Sequence, residues 1–324
     1  MLRATLHEHE IRRVIGLPGE GDRVVDGVAP LGAGEDRCLY FINKRVTSAI
    51  RESLAIRHGC IVIAENGSEL AGELRDSVIL EAADPRGAIA RVLAFIQAEG
   101  RQRPWVDDVN ISPAAMISQW AVLEGKVEIA DGVIIEPFCM LGPDVRIGRG
   151  SILRSGVRIY PRVAIGDGTV IGSNTVIGHA GYGFVRDKIG NKTRIPHLGG
   201  VEIGSNVEIG SLVTVPGGTI TPTIIEDYAK IDDHVHVAHS VRVARSASVT
   251  AAAVIGGSAV IGSEAWVGIN SSIRDGRRVG SRALVGMDVS VQQDLAENAV
   301  ARSPRPDVRM RAEDDSAAIG FEDR

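Results

Sequence analysis

The stretch VEIADGVIIEPFCMLGPDVRIGRGSILRSGVRIYPRVAIGDGTVIG, Val127 to Gly172, counts in sixes. Every sixth residue from Ile129 is aliphatic: Ile129, Ile135, Leu141, Ile147, Leu153, Ile159, Ile165, Ile171 and, just beyond, Ile177. The phase resumes at Ile203, Ile209 and Val215. It shifts once, then runs Ile225, Ile231, Val237, Val243, Val249, Ile255, Ile261, Val267, Ile273, Val279, Val285 and Val291. Gly often follows the aliphatic residue, as in TVIGSN and AVIGSE. Each unit reads as a short flat strand plus a turn, with three units closing one triangular coil and the aliphatic residue pointing inward. That is a parallel β-helix. Antiparallel strands would alternate with period two and carry hairpin signals such as Asn-Gly, and neither appears systematically.

Stacking is the physical cause. A single coil cannot hide its aliphatic residues, but each coil covers its neighbours, so stability is roughly a sum of nearest-neighbour terms. Each inward Ile or Val contributes on the order of 1.5–3 kcal/mol when fully buried. Composition agrees: aromatics are only 4% of the chain and there are 38 glycines, a balance suited to a thin prism with tight corners.

At 324 residues the chain exceeds one typical domain. Its formal charge of −5 argues against a protein that coats nucleic acid. Cys38, Cys60 and Cys139 lie far apart without metal spacing, so a reducing compartment is expected. No apolar run approaches the ~18–20 residues needed to span a bilayer. The start MLRATLHEHEIRR has no apolar signal core, so a cytoplasmic location without export is expected.

Four segments follow. Residues 1–108 lack the count and mix apolar strand-like runs (Cys38 to Ile42, Cys60 to Ala64, Ser77 to Leu80) with helical stretches, as a small α/β domain. The clearest helix begins at Asp84-Pro85, because Asp caps free amides and Pro fits the first helical turn. Ile89, Val92, Leu93 and Ile96 follow at helical spacing. Residues 109–126 read as a linker, 127–294 as the β-helix and 295–324 as a polar tail.

Two excursions break the hexads, Gly181 to Gly200 and a four-residue one near Gly217 to Thr223. Loops projecting from a rigid repeat are where binding residues concentrate, and Tyr182 and Phe184 give the longer one contact groups. The chemistry is expected at HVHVAHS, His234 to Ser240. Position 239 falls at a turn and, one coil of eighteen residues on, stacks on Gly257. Adjacent strands lie ~4.8 Å apart, which sets the Gly257 backbone beside the imidazole. A histidine near neutral pKa suits deprotonation of an amine or hydroxyl, and a glycine amide suits an acyl-transfer oxyanion. No Ser-His-Asp set has a defensible spacing, so direct attack of the acceptor on a thioester is expected. Two other readings stay open: a zinc site using His234, His236 and His239, and solvated corner histidines.

The hexads plus HVAH at a coil corner resemble the hexapeptide-repeat acyltransferases, which implies a left-handed parallel β-helix, mainly β overall. Within them the chain is similar to the UDP-3-O-acylglucosamine N-acyltransferases of lipid A synthesis. DGVAPLGAGEDRCLYFIN looks like that family's uridine-binding domain, GYGFVRDKIGNKTRIPHLGG like its loop, and TIIEDYAKIDDHVHVAHSV like its run ending in the catalytic AH. The resemblance implies homotrimers with sites between subunits, no bound cofactor and no metal. The acyl group would come on phosphopantetheine, from acyl carrier protein or CoA, to the amine of a UDP-linked amino sugar. It implies His239 as general base and Gly257 as oxyanion amide. Tyr40, Asn43, Tyr182, Phe184, His197 and His236 would bind substrate. The chain departs from the family pattern at Val46, Ala180, Pro216-Gly217-Gly218 and Gly276. An acetyltransferase acting from CoA on a surface-polysaccharide amino sugar would keep His239 and alter the rest. A scaffold, or a carbonic-anhydrase-like metal enzyme, is the reading of a different class. The Arg302, Arg305, Arg309 and Arg311 cluster is a candidate surface for an acidic carrier protein.

Overall fold

The computed structural model describes residues 1–31, 35–42, 46–68, 70, 74, 76–101, 109–187 and 189–304. Every residue of the hexad series from Ile129 to Val291 is buried, none more than 4% exposed. Three parallel sheets of nine, ten and nine strands form the faces of the prism. The first face contains Val127–Ile129 and Thr223–Ile225, the second Ile134–Ile135 and Lys230–Ile231, the third Met140–Leu141 and His236–Val237. The fold is therefore the expected parallel β-helix.

The count by sixes understates the core, because most units bury two residues. The position two before the counted aliphatic also points inward, as at Val133, Val157, Val207 and Val235, with Arg277, which pairs with Asp294 instead, as an exception. Small polar residues enter the core there with their hydroxyls satisfied. Thr175 Oγ1 donates to Gly210 O at 2.7 Å and accepts from Val213 N at 3.1 Å. Thr169 does the same with Gly204 O and Val207 N. A parallel rung always offers a carbonyl and an amide at that depth, so a buried hydroxyl costs little.

The corners also differ from a simple glycine turn. In the regular coils, away from the two excursions and the last rung, the residue three after the inward aliphatic is left-handed, and it is often not glycine: Asp144, Asn174 and Asn206 have φ of 60°, 59° and 58°. Asn and Asp tolerate this conformation best. The glycine directly after the aliphatic has another reason. At Gly172 an added Cβ would lie 2.4 Å from Gly210 C, so the backbones of successive coils leave no room for a side chain.

The β-helix starts one coil before the expected boundary. Val109–Ile111 pairs with Val127–Ile129, and Met116–Ile117 with Ile134–Ile135, so residues 109–126 are a rung and not a linker. Ile111, Ile117 and Leu123 continue the phase back from Ile129. At the other end Val300–Ala301 still pairs with Leu284–Val285, so the start of the expected tail belongs to the last rung.

The N-terminal domain is a five-stranded sheet of β1 (Leu2–His7), β2 (Val24–Val28), β3 (Cys38–Phe41), β4 (Cys60–Glu65) and β5 (Ser77–Ala82), in that order. Only β1 is antiparallel to its neighbour. Helices α1 (Glu8–Ile15) and α3 (Pro85–Arg101) cover one side, while α2 (Ser48–Ala55) places Leu54 in the core of the other. The α3 start is as expected: Asp84 Oδ1 accepts from Gly87 N at 2.9 Å. The core under α1 and α3 does not stop at the domain edge. Ile195, Leu198 and Ile220, from the two excursions of the β-helix, are buried in the same cluster as Leu6, Ile11 and Leu93. This apolar seam holds the excursions in place.

Candidate active site

One corner of the prism, from the third face to the first, carries both excursions. Coil after coil it presents His179, then the short excursion after Val215, then His239, Gly257 and Asp275. His179, His239, Gly257 and Asp275 each stand two residues after an inward aliphatic, so the repeat stacks them along one edge. Above that edge the long excursion makes a hairpin, Phe184–Arg186 against Lys192–Arg194, and α3 packs on its first strand.

The two excursions are zipped together by backbone bonds. Leu198 N donates to Thr219 O at 3.0 Å, Gly199 N to Gly218 O at 2.8 Å and Gly218 N to Gly200 O at 3.0 Å. A Cβ on Gly199 would lie 2.4 Å from Thr221 O, which explains glycine there. Thr223 then ties the short excursion to the histidine corner, donating to Pro216 O at 2.8 Å and accepting from Ser240 N at 2.9 Å.

Under this roof His197 and His239 meet edge to face, ring centroids 4.9 Å apart at 62°. His197 is 7% exposed, and its Nδ1 lies 2.9 Å from Ile195 O. A carbonyl only accepts, so Nδ1 carries the proton and Nε2 presents a lone pair. That Nε2 is buried without a partner, as is Nδ1 of His239. Glycines shape the space around both rings. A Cβ on Gly181 would stand 2.8 Å from His197 Nε2 and 3.0 Å from His239 Cβ, and one on Gly257 2.9 Å from His239 Nε2.

Burial holds His239, His236 and His179 below the ordinary histidine value, and pushes His197 down to about 4 with help from neighbouring His239. Asp275 acts the other way on His239, partly restoring its affinity for a proton. At neutral pH the cluster is uncharged, and uncharged imidazoles are bases. A cleft of about 600 Å³ opens onto His197, His239, Gly257 and Asp275, with Tyr182, Phe184 and Arg86 along its wall. A larger groove, about 800 Å³, runs along the first face past Glu128 and Glu202 and has no histidine in its lining.

The structure thus brings together His239, Gly257, Tyr182, Phe184 and His197. His236 faces outward from the third face, its Nδ1 2.7 Å from Thr214 Oγ1, close enough to His239 to feel its charge. Tyr182 is 81% exposed and stacks edge-on with Phe184 at 5.0 Å. Two expectations need correction. The Gly257 amide is not free for an oxyanion, because it donates to Asp275 Oδ1 at 3.1 Å. What Gly257 supplies is room for the imidazole. Tyr40 is a core residue, 1% exposed, with its hydroxyl bonded to the Glu35 backbone, so its ring offers no face to a uracil. Asn43, Arg305, Arg309 and Arg311 lie outside the described residues.

His234 sits at the previous corner, exposed, apart from the other histidines. Among the described residues no three His, Cys, Asp or Glu side chains gather as a metal site. No described helix is long and apolar enough to cross a membrane. His179, Asp275 and Arg86 escaped the sequence reading. The first two share the register of His239 and Gly257, so extending the count would have found them. Arg86 carried no signal, because its place depends on how the N-terminal domain docks.

A β-helix of hexad coils with neutral imidazoles at one edge defines the class, and residues 126–160 and 144–179 match the model of the bacterial transferase hexapeptide family (six repeats). The chain is 38% identical over 230 residues to a UDP-3-O-acylglucosamine N-acyltransferase of Bradyrhizobium sp., covering 65% of this chain and 62% of the relative. To the protein of that name from Leptothrix cholodnii it is 34% identical over 234 residues, 68% of this chain and 67% of the relative. A solved UDP-N-acetylglucosamine O-acyltransferase from Moraxella catarrhalis shares 27% identity at a TM-score of 0.47, over 57% of this chain and 68% of that one. The chain belongs to the UDP-3-O-acylglucosamine N-acyltransferase family, and spans 62% of the first relative's length.

Proposed function

We propose that this protein moves an acyl group from a phosphopantetheine thioester, on acyl carrier protein or CoA, to the amine of a UDP-linked amino sugar. The observation that carries the reading is His239, a neutral, half-buried imidazole whose ring lies against Gly257 in a cleft at the excursion corner. The amine attacks the thioester carbonyl as His239 takes its proton. The C–N bond forms, the tetrahedral intermediate collapses, the C–S bond breaks, and the proton passes from the imidazole to the leaving thiolate. His197 Nε2, a lone pair with no protein donor, is placed to accept a hydrogen bond from a sugar hydroxyl or amine. Tyr182 and Phe184 supply apolar surface at the mouth, and His236 is offered to substrate from the third face.

The names of the relatives support a UDP-3-O-acylglucosamine acceptor. A homotrimer with the cleft completed by a neighbouring copy, in a cytoplasmic enzyme, is the arrangement that the family resemblance implies, and a site at the edge of the prism fits it. Mass spectrometry of products from UDP-glucosamine derivatives, offered with acyl carrier protein and with acetyl-CoA, tests the reading. The expected product is the N-acyl sugar, and His239→Ala lowers its rate by about 10²–10⁴-fold. An O-acylated or acetylated product would redirect the assignment to the polysaccharide-type acetyltransferases. Full activity in His239→Ala would end it.

A further inference from the structure

We propose that Arg86 of α3 and the hairpin pair Arg186 and Lys192, lining the cleft together, bind a phosphoryl anion carried by a substrate. The assignment rests on the acyl-transfer reading and adds where the charged part of the ligand sits.

The hairpin supplies the main argument. Arg186 and Lys192 are direct partners across its two antiparallel strands. Like charges set opposite each other destabilise a strand pair. The sequence therefore places repulsion in a segment that already has few strand bonds to hold it. The nearby carboxylate does not relieve it. Asp187 is committed to the turn, accepting from Ile189 N at 3.0 Å, Asn191 N at 2.8 Å and Asn191 Nδ2 at 3.1 Å. Asp84, beside Arg86, is committed to capping α3. Among the described residues no carboxylate pairs with Arg86, Arg186 or Lys192. The contrast with Arg194 is informative: that guanidinium donates to Gly181 O at 2.8 Å and lies 4.7 Å from the Phe184 ring centroid. Of the described hairpin cations, Arg194 is built into the structure, while Arg186 and Lys192 are left facing a cleft in a chain of formal charge −5.

A second observation points the same way. The inner wall of the same cleft holds His197, 7% exposed, with Nε2 buried and unpartnered. A lone pair in that state needs a donor from the ligand. The cleft thus asks for an anion at its basic rim and an O–H or N–H donor deeper in, beside His239. Both substrates of the proposed reaction have that order of groups: the diphosphate and sugar of a nucleotide sugar, and the phosphate and amide arm of phosphopantetheine.

Equilibrium binding of UDP and, separately, of CoA to the full chain distinguishes the two sources. Arg186→Gln, Lys192→Gln and the double variant are compared with wild type at low and high salt. Each cation removed is expected to weaken one ligand by about tenfold and to flatten its salt dependence. Loss confined to UDP assigns the rim to the nucleotide, loss confined to CoA assigns it to the donor, and loss of both assigns a shared rim. The melting temperature of the ligand-free double variant is expected to hold or rise, since repulsion has been removed. Unchanged affinity for both ligands, no saturable binding of either to wild type, or binding lost only together with stability would each overturn the proposal. His239→Ala separates the two readings, because it is expected to lose transfer while keeping the binding behaviour of wild type.

Discussion

Replacing Gly257 by alanine is the sharpest test of how the β-helix builds its site. The backbone accepts alanine there, since Gly257 is not among the glycines of positive φ. Space does not accept it. The new Cβ would stand 2.9 Å from both Cε1 and Nε2 of His239, closer than real contacts allow. The coil itself cannot move, because Ser258 N bonds His239 O at 3.0 Å and Gly256 N bonds Ile273 O at 2.8 Å. The imidazole must therefore swing by up to about an ångström from its place against Gly257, out of line with the incoming amine. Misplacement of that size costs about 10²-fold in rate. Stability should change little, because the displaced ring is half-exposed. Gly150 supplies the opposite case: φ is +65° and nothing lies within 4 Å of an added Cβ. Gly150→Ala should cost about 1–2 kcal/mol of stability through left-handed strain while leaving the rate of the folded enzyme untouched. Steady-state kinetics and thermal melts of both variants give four numbers. Wild-type turnover in Gly257→Ala, with the imidazole unmoved, would refute the steric account of the site.

Protonation provides an equilibrium check. His197 is held near 4 in the folded chain against 6.5 unfolded, so only the unfolded chain takes up its proton between those values. Stability is therefore flat for this group above pH 6.5 and falls as pH drops toward 4, by on the order of 3 kcal/mol. Urea unfolding across that range should lose this slope in His197→Gln, and an unaltered slope would count against the buried neutral imidazole. Asp275→Asn removes the carboxylate that raises His239, so the acid limb of the kcat/KM profile should move to lower pH; movement the other way would exclude direct electrostatic action. Thr175→Val strips the hydroxyl that serves Gly210 O and Val213 N, and should cost about 1–3 kcal/mol by chemical denaturation. A neutral result would mean that solvent or another group reaches that depth.

The β-helix was legible because its cause is local. Ile129, Ile135 and Leu141 turn inward whatever the rest of the chain does, since six residues make one strand and one corner. The stacking of position 239 on 257 follows from the same count, and Gly257 indeed lies against the His239 ring. Reading one buried residue per unit was too few, because the second inward position mixes Val, Ala, Thr, Ser and Cys and so hides in an apolar-only count. Tyr40 was misplaced for a related reason. An aromatic in a short strand reads alike whether it faces a ligand or a core, and here β3 turns it into the core with Leu54 and Val62.

What the sequence by itself determined is the prism and the edge on which His179, His239, Gly257 and Asp275 are stacked, because periodicity alone sets which side chains go in and which stand at a corner. What only the tertiary structure decided is the cleft. His197 reaches His239, and Arg86 shares a cleft with the hairpin, because Ile195, Leu198 and Ile220 bury themselves in the core of a domain more than a hundred residues away in sequence. No count along the chain contains that contact. It arises from apolar surface on two excursions that the β-helix has no room to bury.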